Sequence, residues 1–312
     1  MIESRSRFFR RYELRFSSRS KAGYSLPVVA PAGKISVVDA LRLAARKQHC
    51  IEVQPNGDTV DLVRIDDSIS GLLVLLFHRA SPSAADPAYR KLKGQDITIR
   101  KTKKEVDEDQ AVSAHLVIST NPSISGGFAS ALEEIPGLSL SVISGIIKNA
   151  LDSYKYPYKD KKGIEKETYS TYKAFGVKGE SLTAALKNNS SINYLTLTRT
   201  SIPDAPDSDG IAEPQSERIR YRIVGDPSSP EWIKKLAVFK AKIRSEDWDD
   251  ILLDISLDDD RHRTVKLDRE SEASEIMFVR AEQVKLSKDI DPCTVEIVPD
   301  LVDAAKKLLE KS

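Results

Sequence analysis

Ala111–Leu151, AVSAHLVISTNPSISGGFASALEEIPGLSLSVISGIIKNAL, is the stretch that decides the fold. Val112 to Ser119, with Leu116, Val117 and Ile118 in succession, reads as a strand. A turn follows at Gly126 and Gly127, then a short helix expected over Phe128 to Glu134. Pro136 and Gly137 break the chain before a second helix from Leu140 to Leu151. No charge falls between Leu138 and Ile147, so this helix should be buried on most of its surface.

Upstream, Arg7 to Phe16 alternates as a strand, with Tyr12, Leu14 and Phe16 on one face. Ser36 is placed to cap a helix running to about Gln48. Cys50–Val53 and Thr59–Ile65 flank Asn56-Gly57, a hairpin signal. Gly71–His78, GLLVLLFH, is apolar without interruption, as in a central strand covered on both faces. Ser81 to Gly94 reads as a loop, Ile97 to Lys104 as a short strand ending in a basic corner, and Asp107 to Asp109 as an acidic turn.

Downstream, Tyr154–Lys178 breaks the composition, with seven lysines and five tyrosines against Asp160, Glu165 and Glu167. It reads as a basic linker over 156–178 between an N-terminal domain, 1–155, and a C-terminal domain, 179–312. In the second domain, helices are expected over 181–187, 230–244 and 299–309, and strands over 192–199, 219–224, 250–257, 264–267, 275–284 and 294–298. Ser201 to Ser216, rich in Pro, Asp and Ser, reads as a loop. Helices set among hairpin-linked strands give an α+β protein of two domains with mixed, mostly antiparallel sheets.

The 312 residues carry 48 basic and 47 acidic side chains, but the charge is unevenly spread. Residues 1–21 hold seven basic residues against Glu3 and Glu13, a local net of +5. Residues 203–217 are acidic, with no base before Arg218. Such asymmetry points to a polyanion partner or to self-association. No run approaches the ~20 apolar residues of a membrane span, and the amino terminus lacks the apolar core of a secretory signal. Cys50 and Cys293, far apart and outside any CxxC pattern, read as reduced cytoplasmic thiols.

No phosphate-loop, dinucleotide or nucleophile-elbow motif is present, and no catalytic residue, metal or cofactor is expected. His49, His78, His115 and His262 lack metal-ligand spacing; His115, beginning an apolar strand, is the one to weigh for an enzyme. Asp254, Asp258, Asp259 and Asp260 fit a hairpin tip better than a Mg²⁺ site. Ile135-Pro-Gly-Leu-Ser139 resembles the turn of a helix-hairpin-helix but lacks its second glycine, so a corner capped by Ser139 is the simpler reading.

The strongest nucleic-acid feature is basic. Lysines neutralise phosphates while tyrosines offer flat faces to bases. Candidate contacts are Arg5, Arg7, Arg10 and Arg11 at the amino terminus, Arg100, Lys101, Lys103 and Lys104 at the basic corner, and Lys155, Lys159, Lys161, Lys162 and Lys166 in the Lys/Tyr tract.

The order Ala114-His-Leu-Val-Ile118, Gly127-Phe-Ala129, then Pro136-Gly137 opening an apolar helix resembles the RexA-type phage-exclusion proteins. Trp248–Leu257, the DDDRHR turn and the late strand and helix ending at Leu309 follow a similar sequence of elements, with the loop 201–216 unmatched. The resemblance implies a cytoplasmic, dimeric, DNA-binding protein of a mobile element, working beside a membrane-protein partner without inserting into the membrane itself, and carries over no catalytic residue. Three function classes stand on this sequence. One is a non-enzymatic nucleic-acid binder of a phage-defence system that grips the phosphate backbone with little sequence preference. Another is an interaction scaffold in which the acidic segment 203–217 and the basic arm pair. The third is an enzyme using His115.

Overall fold

The computed structural model describes residues 2–20, 24–30, 35–94, 96–124, 126–177, 180–181, 191–199, 216–226, 229–244, 248–256, 262–266, 277–278, 281–310. It is an α+β structure in which every strand pairing among the described residues is antiparallel. The chain falls into two compact units, residues 1–177 with 281–312, and residues 178–280.

The first unit is built on a nine-stranded sheet. Its strands are β1 (Ser6–Ser18), β2 (Ile51–Val53), β3 (Thr59–Asp66), β4 (Leu72–Ser81), β7 (Gln110–Pro122), β8 (Phe128–Glu133), β9 (Lys155–Lys159), β10 (Glu165–Gly176) and β17 (Ala281–Lys285). The order is β2-β3-β4-β7-β8-β1-β10-β9. β17 shares one flank of β1 with β10: Ala281 pairs with Arg10, and Gly176 with Tyr12. A separate ribbon, β5 (Ala88–Lys93) and β6 (Asp96–Lys101), stands between β4 and β7 in the chain.

Helices cover both faces of this sheet, which explains the unbroken apolar run of β4. Leu73, Leu75 and Phe77 join the core formed with α1 (Val37–Arg46) and α2 (Leu140–Ser153). Leu72 and Val74 point the other way, into a second core completed by Leu301, Val302, Ala305 and Leu308 of the last helix, Pro299–Leu309. With both sides dry, truncating Leu75 or Leu116 to Ala should cost about 2–5 kcal/mol.

Local chemistry fixes the element ends as expected in several places. Ser36 caps α1 in a full capping box with Asp39. Asn56-Gly57 turns β2 into β3, with Gly57 at φ +86°, where a side chain would be strained. Ser139 caps α2, which buries Ile143, Ile146, Ile147, Ala150 and Leu151. Gly137, at φ +83°, also leaves room for Arg79; a Cβ there would come within 2.2 Å of its guanidinium.

Several expectations are corrected. Phe128–Glu133 is a strand, not a helix, because it fills the gap between β7 and β1 and pairs with both. No helix therefore precedes the Pro136-Gly137 corner, which removes the helix-hairpin-helix reading. The loop over 81–94 contains β5, paired to β6. Residues 156–178 are no linker: β10 pairs with β1 over seven residues and with β9, because Tyr156 and Tyr172 have a core to enter. The expected domain 179–312 also divides, since 281–310 belongs to the first unit, where it covers a sheet face that would otherwise be bare. Within it, 294–298 forms no strand but leads into the last helix.

The second unit has a four-stranded sheet, β13-β12-β14-β15, from β12 (Ser191–Arg199), β13 (Glu217–Arg222), β14 (Asp250–Ser256) and β15 (His262–Lys266). Helix α3 (Pro230–Arg244) packs Leu236 and Ile243 against Leu195, Leu197, Leu253 and Ile255. The short strands β11 (Glu180–Ser181) and β16 (Met277–Phe278) pair with each other. The expected helix over 181–187, the loop 201–216 and Asp258, Asp259 and Asp260 lie outside the described residues, the helix and loop but for their edges. No helix of the described residues is long and apolar enough to cross a membrane.

Candidate nucleic-acid interface

Among the described residues the β5–β6 ribbon is a strongly cationic, exposed feature. All twelve of its strand residues are exposed. Between Ala88 and Lys104 there are seven cations, Arg90, Lys91, Lys93, Arg100, Lys101, Lys103 and Lys104, against Asp96 alone, a net of +6. The register alternates them over both faces. Tyr89 faces Arg100, Lys91 faces Thr98 and Lys93 faces Asp96 on one side; Ala88–Lys101, Arg90–Ile99 and Leu92–Ile97 occupy the other. Arg100 stacks over the Tyr89 ring at 4.6 Å. Six residues per strand give the ribbon a reach of about 20 Å. Acidic groups gather at its base: the Lys104 backbone N–H donates to Asp86, and Glu105 N–H to Glu108. Those carboxylates leave the base of the ribbon less positive than its outer part.

The amino-terminal arginines are committed elsewhere. Arg5 pairs with Asp289 at 2.8 Å, Arg11 with Glu282 at 3.0 Å, and Arg10 with Glu134. The Asp289 carboxyl is held below the usual range by its hydrogen bonds from Arg5 and Ser4. Arg7, only 3% exposed, lies in the interior and is no surface contact. The net +5 of this segment is thus largely neutralised by partners that only the fold brings near.

The Lys/Tyr tract is intermediate. Lys155, Lys159, Lys161 and Lys162 are exposed along an edge strand and its turn. Lys166 binds Asp160 at 2.9 Å, which raises the lysine and, with backbone N–H groups of Ile164 and Lys162, lowers the carboxyl. Two of the five tyrosines offer no stacking face: Tyr156 and Tyr172 are buried, and Tyr156 Oη donates to the Tyr24 carbonyl at 2.9 Å, while Tyr154, Tyr158 and Tyr169 are half-buried.

His115 has partners on both ring nitrogens. Nδ1 lies 2.8 Å from Glu133 Oε2, and Nε2 accepts the Val298 backbone N–H at 3.1 Å. The N–H arriving at Nε2 sets the tautomer, with the ring proton on Nδ1 donated to Glu133. Glu133 Oε2 also accepts the His115 backbone N–H at 3.1 Å, and Oε1 sits 2.9 Å from Arg7 Nε, an ion pair off the hydrogen-bonding line. Arg7 in turn donates to the carbonyls of Ile290 and Asp291. His115 is 1% and Glu133 2% exposed. Two neighbours repeat the theme: His78 Nε2 lies 2.8 Å from the Thr294 carbonyl, and Ser113 Oγ accepts the Thr294 N–H at 3.0 Å. These groups fasten segment 289–298 across the sheet.

Glu133 was not singled out in the sequence. Read as a strand, Ala131-Leu132-Glu133 places the carboxylate on the face of Ala131, where a buried cation must answer it. Among the described residues no three His, Cys, Asp or Glu side chains gather as a metal site, and Asp254 faces Arg220 at 3.3 Å. No family model, curated protein or solved structure matches the chain.

Proposed function

We propose that this protein binds nucleic acid non-enzymatically, gripping the phosphate backbone through the β5–β6 ribbon with little sequence preference. The observation that carries this reading is a two-stranded hairpin with every strand residue exposed, whose residues 88–104 hold seven cations and one carboxylate, with further carboxylates only at its base. Such a ribbon buries no core of its own, and duplex-binding ribbons enter either the major or the minor groove. Cations on both faces suit a groove walled by two phosphate strands. The exposed lysines of the β9–β10 turn add a second, weaker basic surface. The buried, doubly bonded state of His115 supports a structural role for that residue over catalysis. The resemblance to RexA-type proteins supports a place in cytoplasmic phage defence, with a homodimer and a membrane-protein partner as its corollaries.

The test is filter binding of the full chain across a salt series. Replacing Arg90, Lys91, Arg100 and Lys101 with Glu should weaken binding and lower the slope of log K against log salt. On duplex DNA the slope should fall by about 0.9 for each phosphate that is no longer neutralised. A wild-type protein that fails to bind at low salt sinks the proposal.

A further inference from the structure

Phosphate binding leaves the apolar side chains of the ribbon without a purpose. Leu92 and Ile97 pair directly, one step below the Lys93–Asp96 pair that closes the hairpin, and are 61% and 56% exposed. Ile99 lies two residues back on the same face, 65% exposed. Side chains this large, bare at the end of a cationic arm, cost solvation unless something covers them.

We propose that the Leu92–Ile97 pair is a wedge that enters a nucleic-acid duplex between base steps from the minor groove and kinks it. This rests on the reading of the ribbon as a nucleic-acid-binding element. The wedge sits at the outer end, beyond the acidic base, where the chain can reach deepest. Arg90 and Lys101 share its face, while Lys91, Lys93 and Arg100 lie on the opposite one, so cations accompany the apolar pair whichever wall it passes. Aliphatic wedges unstack a step and bend the duplex so that more backbone meets the protein. An anionic membrane is the rival cover. A membrane-docked element segregates its charges on one face and its apolar groups on the other. Here three cations occupy the face opposite the wedge and two more share its own, and that face holds only three large aliphatic side chains, Leu92, Ile97 and Ile99.

The experiment uses the full chain and a duplex of about 30 base pairs, labelled at its ends for energy transfer and carrying 2-aminopurine at a central step. Wild type should bend the duplex by roughly 20–90° and raise 2-aminopurine fluorescence. Leu92→Ser with Ile97→Ser should abolish both signals while keeping salt-sensitive binding, the slope falling only by the backbone contacts that the bend had added, because the ribbon's own cations are kept. Both positions are exposed, so unchanged circular dichroism is expected of the variant. Wild-type binding without bending, or bending that survives the double substitution, overturns the wedge and leaves phosphate binding standing. No wild-type affinity for the duplex overturns both. Binding to phosphatidylserine-containing vesicles that is lost in the double variant, with no bending of DNA, overturns the wedge and assigns the apolar pair to lipid.

Discussion

His115 Nε2 accepts the backbone N–H of Val298 at 3.1 Å, so a side chain in the middle of the sheet caps the start of the final helix. Val298 is the N-cap of that helix and supplies no side-chain cap itself. The histidine is held for the task by Glu133, and Glu133 by Arg7.

Removing the middle member should be the most damaging change. Glu133→Ala leaves the Arg7 guanidinium buried opposite no carboxylate, at a cost of about 3–5 kcal/mol. His115→Ala, which orphans the Val298 N–H and leaves Glu133 Oε2 with only the backbone N–H of residue 115, should cost about 1–3 kcal/mol. Arg7→Met combined with Glu133→Leu removes both charges and should be milder than Glu133→Ala alone. Urea midpoints measure all three; a double variant no better than the single one would place the cost in packing instead.

Acid should weaken the Asn56-Gly57 hairpin in particular. The Asp58 carboxyl is held below its usual range first by the Ser81 hydroxyl at 2.6 Å, then by Arg79 and by Asn56. A depressed folded pKa gives stabilisation that is complete above the unfolded value of about 3.9 and is lost as pH falls through the folded one. Stability measured from pH 6 down to about 2 should therefore drop below roughly pH 4, and Asp58→Asn should flatten that limb. An unchanged acid limb in the variant would exclude this carboxylate as its source.

The lysines of the β9–β10 hairpin set a comparison. Glu at Lys155, Lys159, Lys161 and Lys162 should leave melting nearly unchanged, since exposed substitutions are usually within about 0.5 kcal/mol. Binding should fall less than on reversing the β5–β6 cations. The opposite ranking would move the interface from the ribbon to the sheet edge.

Tyr172 offers a change in the favourable direction. Its hydroxyl is buried, meets no partner in hydrogen-bonding geometry although Ser144 lies beside it, and has its pKa pushed up to about 12 by burial. Its ring packs against Phe16 at 5.6 Å. Tyr172→Phe keeps that packing and removes the unpaired group, so stability should be equal or higher by up to about 1 kcal/mol. A clear loss in thermal melting would mean the hydroxyl is bonded through water.

What the sequence made legible was local. The β4 run, the Asn-Gly turn and the two serine caps each carry their signal within a few residues, and each formed as read. Phe128–Glu133 misled because Ala, Leu and Glu are good helix formers, and only the open slot between β7 and β1 overrides that preference. The return of 281–310 to the first unit depends on a bare sheet face built from Phe9, Leu72, Val74, Val117 and Ala131, far earlier in the chain, which no window of sequence displays. The candidate interface was half visible: Arg100, Lys101, Lys103 and Lys104 stood out by charge. The β5 cations Arg90, Lys91 and Lys93 were lost in a segment read as loop. The amino-terminal arginines looked available because Glu133, Glu134, Glu282 and Asp289 are distant in the chain.

The chain leaves β1's flank at Gly176, opposite Tyr12, and rejoins it at Ala281, opposite Arg10. Those two points are about 7 Å apart along β1. Residues 178–280 are therefore inserted between two neighbouring points of one sheet flank, a gap that a short glycine-rich bridge could close. A gene encoding this frame could gain, exchange or shed that cassette by recombination without disturbing a single pairing of the nine-stranded sheet. The part of the protein free to diversify fastest would then be the inserted middle, while its two distant ends evolve as one body.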